Sequence, residues 1–299
     1  MAHVIERIGP EVHSIYAIDD DCPEQTGLFL KEVIKDPRLS IIFHENNQGV
    51  GGAVITGYKR ALDDGMDIIV KIDGDGQMHP ELIPQMISPI LRGRADYVKG
   101  NRFDSLESLA AMPKLRIVGN AALSILTKFS TGYWSVTDPT NGFTAIHKTA
   151  LQSLNLAKIR KSYFFESDIL FRLNLANCVV HDVPMEAVYG EEKSNMRLSR
   201  ILIEFPMRHF VNFSKRIFYR YYLREWSVGT FELPIGITLL GFGIVFGLNS
   251  YFSASQAGIA TSAGQATTSA LAIILGMQLL LSFLSFDVNA EPQVPRQAP

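Results

Sequence analysis

Ile68-Ile69-Val70-Lys71-Ile72-Asp73-Gly74-Asp75-Gly76-Gln77 joins a short β-rich run to two carboxylates set two residues apart between glycines. The run at 67–72 predicts a strand, and the acidic Gly-rich turn predicts its end. Working outward, 12–18, 39–43 and 96–98 read as further strands, while 24–35, 50–64, 80–92 and 109–129 suit helices. This alternation predicts a mostly parallel α/β sheet with helices on both faces. Ligands in such sheets bind beyond the carboxyl ends of the strands, where Asp73 and Asp75 fall, as does the acidic run Asp19, Asp20 and Asp21. Grouped carboxylates repel one another and are tolerated when a cation or donor groups neutralise them. A divalent metal bridging to phosphate is the natural candidate. An EF-hand loop starting at Asp73 is disfavoured, because its twelfth position is Pro84 and a strand precedes it.

The 299 residues are 47% hydrophobic and 19% charged, enough to bury a sizeable core and too apolar for a disordered chain. Twenty-eight basic and 30 acidic residues nearly cancel, which argues against broad electrostatic binding to nucleic acid. The only cysteines, Cys22 and Cys178, give neither a disulfide framework nor zinc-site spacing. His79, His147 and His181 likewise lack metal-ligand spacing.

Residues 233–252 and 269–286 are uncharged apolar stretches, each near the ~20 residues a helix needs to cross a bilayer. The short polar segment 253–268 between them predicts a hairpin with both ends on one side. Arg220, Arg224 and Arg296 place that side in the cytoplasm. Ahead of the hairpin, 199–226 interleaves Arg and Lys with Phe, Tyr and Trp, the pattern of helices lying in the lipid headgroup layer, and Pro206 predicts a division into two helices. No apolar signal region precedes Asp21. The expected divisions are 1–198 for the α/β domain, 199–230 for juxtamembrane helices, 231–287 for the hairpin and 288–299 for a cytoplasmic tail.

Six segments in order extend the reading: Ile18-Asp19-Asp20, Asn47-Gln48-Gly49-Val50-Gly51-Gly52-Ala53, Asp73-Gly74-Asp75-Gly76-Gln77, Gly100-Asn101-Arg102, Asp138-Pro139-Thr140-Asn141-Gly142-Phe143 and Tyr189-Gly190-Glu191-Glu192-Lys193-Ser194-Asn195. Together they resemble family 2 glycosyltransferases, in a bacterial membrane-anchored branch related to dolichol-phosphate mannose synthase. The resemblance implies a GT-A fold, with an inner-membrane enzyme whose catalytic domain faces the cytoplasm. It implies a nucleotide-sugar donor, a polyprenyl-phosphate or lipid-linked acceptor, contact with membrane lipids and no nucleic acid, and it leaves a homo-oligomer open.

By the same resemblance Asp20, with Asp19 or Asp21, contacts the nucleoside. Asp73, Asp75 and Gln77 hold Mg2+ or Mn2+ on the donor diphosphate, Asp73 also serving the donor. Gly49 and Gly51 either approach the donor or pack strand against helix; Val54 breaks the full dinucleotide-binding pattern. Arg102 and Arg116 meet phosphate, a task suited to a guanidinium. Asp138 faces the acceptor, and Glu166 falls where hydroxyl-accepting relatives place a base; with a phosphate acceptor, Lys193 and Arg197 matter more. Residues 1–8 match the tail of the helix that follows the family's first strand, so the sheet is expected to lack that strand. An inactive, non-catalytic membrane protein is the alternative that follows.

Overall fold

The computed structural model describes residues 1–103, 114–186 and 198–297, the side chains of 114–116 and 198–203 excepted. The chain forms two compact units, Met1–Arg216 with Pro292–Pro299, and Ile217–Glu291.

In the first unit, strands β1 (Ile15–Asp19) and β2 (Leu39–Phe43) pair in parallel, with α2 (Thr26–Val33) connecting them. The helix α3 (Val50–Asp63) leads to β3 (Ile68–Lys71), and α4 (Ile83–Leu91) leads to β4 (Tyr97–Asn101). β5 (Thr144–His147) lies antiparallel between β3 and β4, and β6 (Val180–Pro184) runs parallel to β4 on its other edge. β5 is a strand the sequence reading did not separate from its loop, because four residues following Asn-Gly-Phe carry little periodic signal.

Alternation in the pleat sends β4 side chains to two cores. Tyr97 joins Ile146, Tyr58 of α3 and Ile169 of α7 (Phe165–Leu175). Val98 joins Ala145, Met86 of α4 and Ile5 of α1 (Ala2–Glu6). The two ladders are not hydrogen-bonded to one another. The free edges of β1 and β3 instead line one cavity of about 1300 Å³, with α3 along one side and α1 and α4 along the other.

The helices α5 (Lys114–Thr131) and α8 (Leu198–Phe218) pack together: Ser130 Oγ and His209 Nδ1 are 2.7 Å apart, and Arg216 Nη2 donates to the carbonyl of Phe129 at 2.8 Å. Burial lowers the His209 pKa to about 4, so its imidazole is neutral at pH 7. Asn212 reaches Asp168 on α7. Contrary to the division expected at Pro206, α8 runs through it. The proline removes one intrahelical hydrogen bond, and the turns that follow are held by these contacts. A short helix α6 (Lys148–Gln152) follows β5.

After α8 a π-helical turn, Tyr219–Arg224, precedes α9 (Val228–Gln256) and α10 (Ala263–Asn289), both long and apolar enough to cross a membrane. Large apolar side chains such as Phe231, Val245 and Leu271 are exposed, the reverse of a water-facing helix pair. Small residues recur every seven positions along the buried side of α9, at Gly229, Gly236, Gly243 and Ser250; Gly236 faces Gly276 and Leu280, Gly243 faces Ser269 and Ile273, and Gly229 receives Phe283 and Phe286. A Cβ at Gly276 would lie 2.6 Å from Leu240 N and 2.9 Å from the Gly236 carbonyl oxygen, backbone atoms that cannot turn aside. Gly276→Leu is therefore expected to part the helices. Disulfide formation between cysteines placed at 247 and 269, facing positions in the parent, should fall sharply in that variant; unchanged crosslinking would refute the close approach.

The chain then returns to the first unit. The buried Asp96 carboxylate accepts the backbone N–H groups of Val179, Arg296 and Gln297, and Gln297 Nε2 donates to the Ile90 and Ala95 carbonyls. The segment leaving the first unit thus begins and ends on it, as a hairpin requires.

Candidate active site

The functional side chains gather at the carboxyl ends of β3 and β4 and in the loop before β5. Register places Lys71, Thr144 and Lys99 side by side across three strands. Lys71 Nζ lies 2.8 Å from Asp73 Oδ1 and 3.5 Å from Glu166 Oε1 in the first turn of α7. Burial opposes charge on Lys71, but the Asp73 and Glu166 carboxylates outweigh it and raise its pKa above the ordinary value. Fully buried Lys99 donates to the Asn141 carbonyl; burial lowers its pKa to about 8 against the pull of Glu166 and Asp138.

The loop from Asp138 to Phe143 closes this cluster. Asp138, wholly buried, receives Arg102 bidentately, Nε to Oδ2 at 2.7 Å and Nη2 to Oδ1 at 3.0 Å. Gly142 approaches so closely that a Cβ would run into Asp73 Oδ2 and Lys71 Nζ. Asp182 on β6 stands in register with Lys99, and burial raises its pKa to about 6.

Asp73, Glu166, Arg102 and Asp138 thus come together. Lys71, Lys99 and Asp182 complete the cluster and were not singled out from sequence. The available signal was a lysine inside each of two otherwise apolar strands, Ile-Val-Lys-Ile and Tyr-Val-Lys-Gly, where an unpaired ammonium is too costly to keep.

Asp75 is exposed, and its Oδ1 accepts the Gln77 backbone N–H at 2.9 Å. Among the described residues no three His, Cys, Asp or Glu side chains converge on one metal position. The oxygens of Asp73, Asp75 and Gln77 are of the hard type that divalent cations such as Mg2+ and Mn2+ prefer.

The first acidic run is held by the protein itself. Asp19 accepts the N–H groups of Cys22 at 2.8 Å and Gly27 at 2.6 Å. Asp20 accepts those of Gln48 and Gly49, both at 2.8 Å, and meets His44 Nδ1 at 2.6 Å. Burial works against its ionised form, yet the hydrogen bonds from His44, Gln48 and Gly49 prevail and lower its pKa. Asp21 is exposed with left-handed backbone at φ 57°. The Gly-rich run packs against the loop before α7: Gly51 N–H donates to the Lys161 carbonyl at 2.9 Å, and Gly49, at φ 81°, leaves a Cβ only 2.7 Å from that oxygen. The Arg116 side chain, Lys193 and Arg197 lie outside the described residues.

Comparison with known proteins bears on the family and the fold. The sequence profile of Glycosyl transferase family 2 matches residues 2–154. The UDP-N-acetylglucosamine–dolichyl-phosphate N-acetylglucosaminyltransferase of Methanococcus voltae is 33% identical over 207 residues, covering 65% of this chain and 82% of its own. An undecaprenyl-phosphate mannosyltransferase of Micrococcus luteus is 29% identical, covering 60% and 74%. Among solved structures, the glucosyl-3-phosphoglycerate synthase of Mycobacterium tuberculosis, in complex with Mn2+, UDP-glucose and phosphoglyceric acid, shares the fold with a TM-score of 0.53 at 19% identity, covering 72% of this chain and 74% of its own. With a carboxylate-rich site at the strand ends and the family profile over half its length, this chain belongs to glycosyl transferase family 2.

Proposed function

We propose that this chain is a metal-dependent, inverting glycosyltransferase of the bacterial inner membrane, facing the cytoplasm, that moves a sugar from a nucleotide-sugar to polyprenyl phosphate or a lipid-linked glycan. The observation that carries the reading is the convergence of Asp73, Arg102, Asp138 and Glu166 in a chain that also has two membrane-length helices. The relatives named for transfer to dolichyl and undecaprenyl phosphate support the acceptor class.

Asp75 and Gln77, with Asp73, would hold Mg2+ or Mn2+, which supplies Lewis-acid stabilisation of the departing diphosphate. Lys71 fixes Asp73 relative to Glu166, so donor-side and acceptor-side carboxylates share one counter-cation. Arg102 holds Asp138 with both oxygens occupied, a positioning role for the acceptor loop. A phosphate acceptor arrives as an anion, attacks the anomeric carbon through oxygen and needs no base. A hydroxyl acceptor must lose a proton, and Glu166 is the carboxylate placed to take it.

The test is to incubate membranes holding the full chain with undecaprenyl phosphate and a panel of labelled nucleotide-sugars. Label entering the lipid fraction from one donor is expected; none from any donor would refute the reading. A second reading, a non-catalytic membrane protein, predicts that no nucleotide-sugar binds at all. The acceptor classes separate by mutation. Lys193→Ala is expected to reduce turnover more than Glu166→Gln if the acceptor is a phosphate, and acceptor kinetics in the reverse order would indicate a hydroxyl.

A further inference from the structure

The loop from Thr137 to Phe143 is fastened to two strands through Asp182 and Lys99. Asp182 on β6 accepts the Thr137 N–H at 2.8 Å through Oδ2, while its Oδ1 is buried without a hydrogen-bond partner. Lys99 on β4 gives its ammonium to the Asn141 carbonyl, four residues further along the loop. Register sets the two side chains beside each other on one face of the β4–β6 pair. Between these two points Arg102 holds Asp138, and beyond them the Gly100 N–H donates to the Phe143 carbonyl at 2.9 Å.

This fastening is costly. Lys99 is fully buried, yet among the described residues it forms no ion pair; Glu166, Asp138 and Asp182 favour its charge from a greater distance and Lys71 opposes it. Asp182 in turn faces Lys99 and Lys128, which favour its charge, and Asp138, which opposes it. An apolar pair of similar volume would avoid burying either charge. Buried charges kept at such a cost cluster where a site needs them.

We propose that Lys99 and Asp182 are positioning residues for the acceptor: they hold the two ends of the 137–141 stretch, so that the Arg102–Asp138 pair meets a lipid phosphate in one fixed place. Lys99 also offsets neighbouring carboxylates that would otherwise repel an anionic acceptor. The acceptor role rests on the glycosyltransferase reading above, whereas the fastening of the loop does not.

The full chain in detergent micelles is compared with Lys99→Met, Asp182→Leu and the conservative Asp182→Asn, which keeps an oxygen for Thr137. Hydrogen exchange is read over 137–143, and steady-state transfer is measured to undecaprenyl phosphate from the nucleotide-sugar that labels it in the screen above. Lys99→Met and Asp182→Leu are each expected to speed exchange of that segment about tenfold and to raise the acceptor KM about tenfold, the size of one lost buried hydrogen bond, with the donor KM unchanged. Asp182→Asn should stay near the parent on both measures. All three should melt near the parent, since Asp138 keeps Arg102 and Glu166 keeps Lys71. Parental exchange in both disrupting variants would overturn the fastening, and faster exchange with a parental acceptor KM would overturn the positioning role. A donor KM that rises in step with the acceptor KM would mean general loosening of the site and would overturn that role as well. A parent chain that transfers no sugar would remove the acceptor role together with the reading it rests on, while exchange still decides the fastening. Should one variant fail to fold, the other decides.

Discussion

Asp75→Asn is expected to lower sugar transfer about a thousandfold while leaving the protein folded and membrane-inserted. Asp73, two residues earlier, is already neutralised by Lys71 at 2.8 Å, whereas Asp75 is exposed and spends one oxygen on a turn hydrogen bond to Gln77. Asp75 is therefore the carboxylate whose charge remains to be matched by a divalent cation. A metal acting as Lewis acid on the leaving diphosphate contributes several kcal/mol, and a loss of about 4 kcal/mol corresponds to roughly three powers of ten. Asparagine keeps the shape and the acceptor for the Gln77 N–H but not the charge, so folding is spared. Asp73→Asn should behave differently, because it leaves the buried Lys71 with Glu166 alone and so costs stability as well as activity. Turnover under limiting Mn2+, together with thermal melting of both variants, checks the distinction. Near-parental turnover by Asp75→Asn would remove the residue from the metal site.

The strands and helices that position this site were legible where period and punctuation agreed. The expected strand at 39–43 coincides with β2, and the expected helix at 50–64 ends one residue beyond α3. Asp73, Asp138, Arg102 and Glu166 were legible as motif members, but their partnerships were not. That Arg102 grips Asp138, and that Lys71, beside Asp73, reaches Glu166 across 95 positions of sequence, depends on cross-strand register, which local pattern does not carry. Asp19 and Asp20 show the converse. A carboxylate at a strand end reads equally as a ligand group or as an acceptor for helix N-terminal N–H groups, and the folded chain engages their oxygens with backbone donors. Pro206 misled because tertiary anchoring through His209, Asn212 and Arg216 outweighs a single lost hydrogen bond.

A β-rich segment of about five residues joined ahead of Met1 is expected to stabilise the first unit and tighten donor binding. β1 and β3 each present an unpaired edge to the same cavity, a ready template for a strand. The walls match the side chains such a strand would offer: α3 contributes Val54 and Tyr58 on one side, while Ile5, Ile83 and Ile87 close the other. Apolar side chains would be buried on both faces, so the inserted run should be Val- and Ile-rich without alternation. Met1 packs against Gly74, just past the end of β3, so an added segment would run along the free edge parallel to β3 and leave it at the carboxyl end to reach Met1. Pairing two idle edges satisfies backbone N–H and C=O groups, and filling the slot removes apolar surface from water. Even ~2 kcal/mol of net gain raises the melting temperature of a domain this size by roughly 4–8 °C. The donor should feel the change too, because the cavity opens at Asp20, Gly49 and Asp73, and a strand would give that end a fixed wall. Calorimetry and nucleotide-sugar titration on the parent and extended chains supply the check. An extended chain with the same melting temperature and donor affinity would mean that the slot between β1 and β3 does not accept a strand.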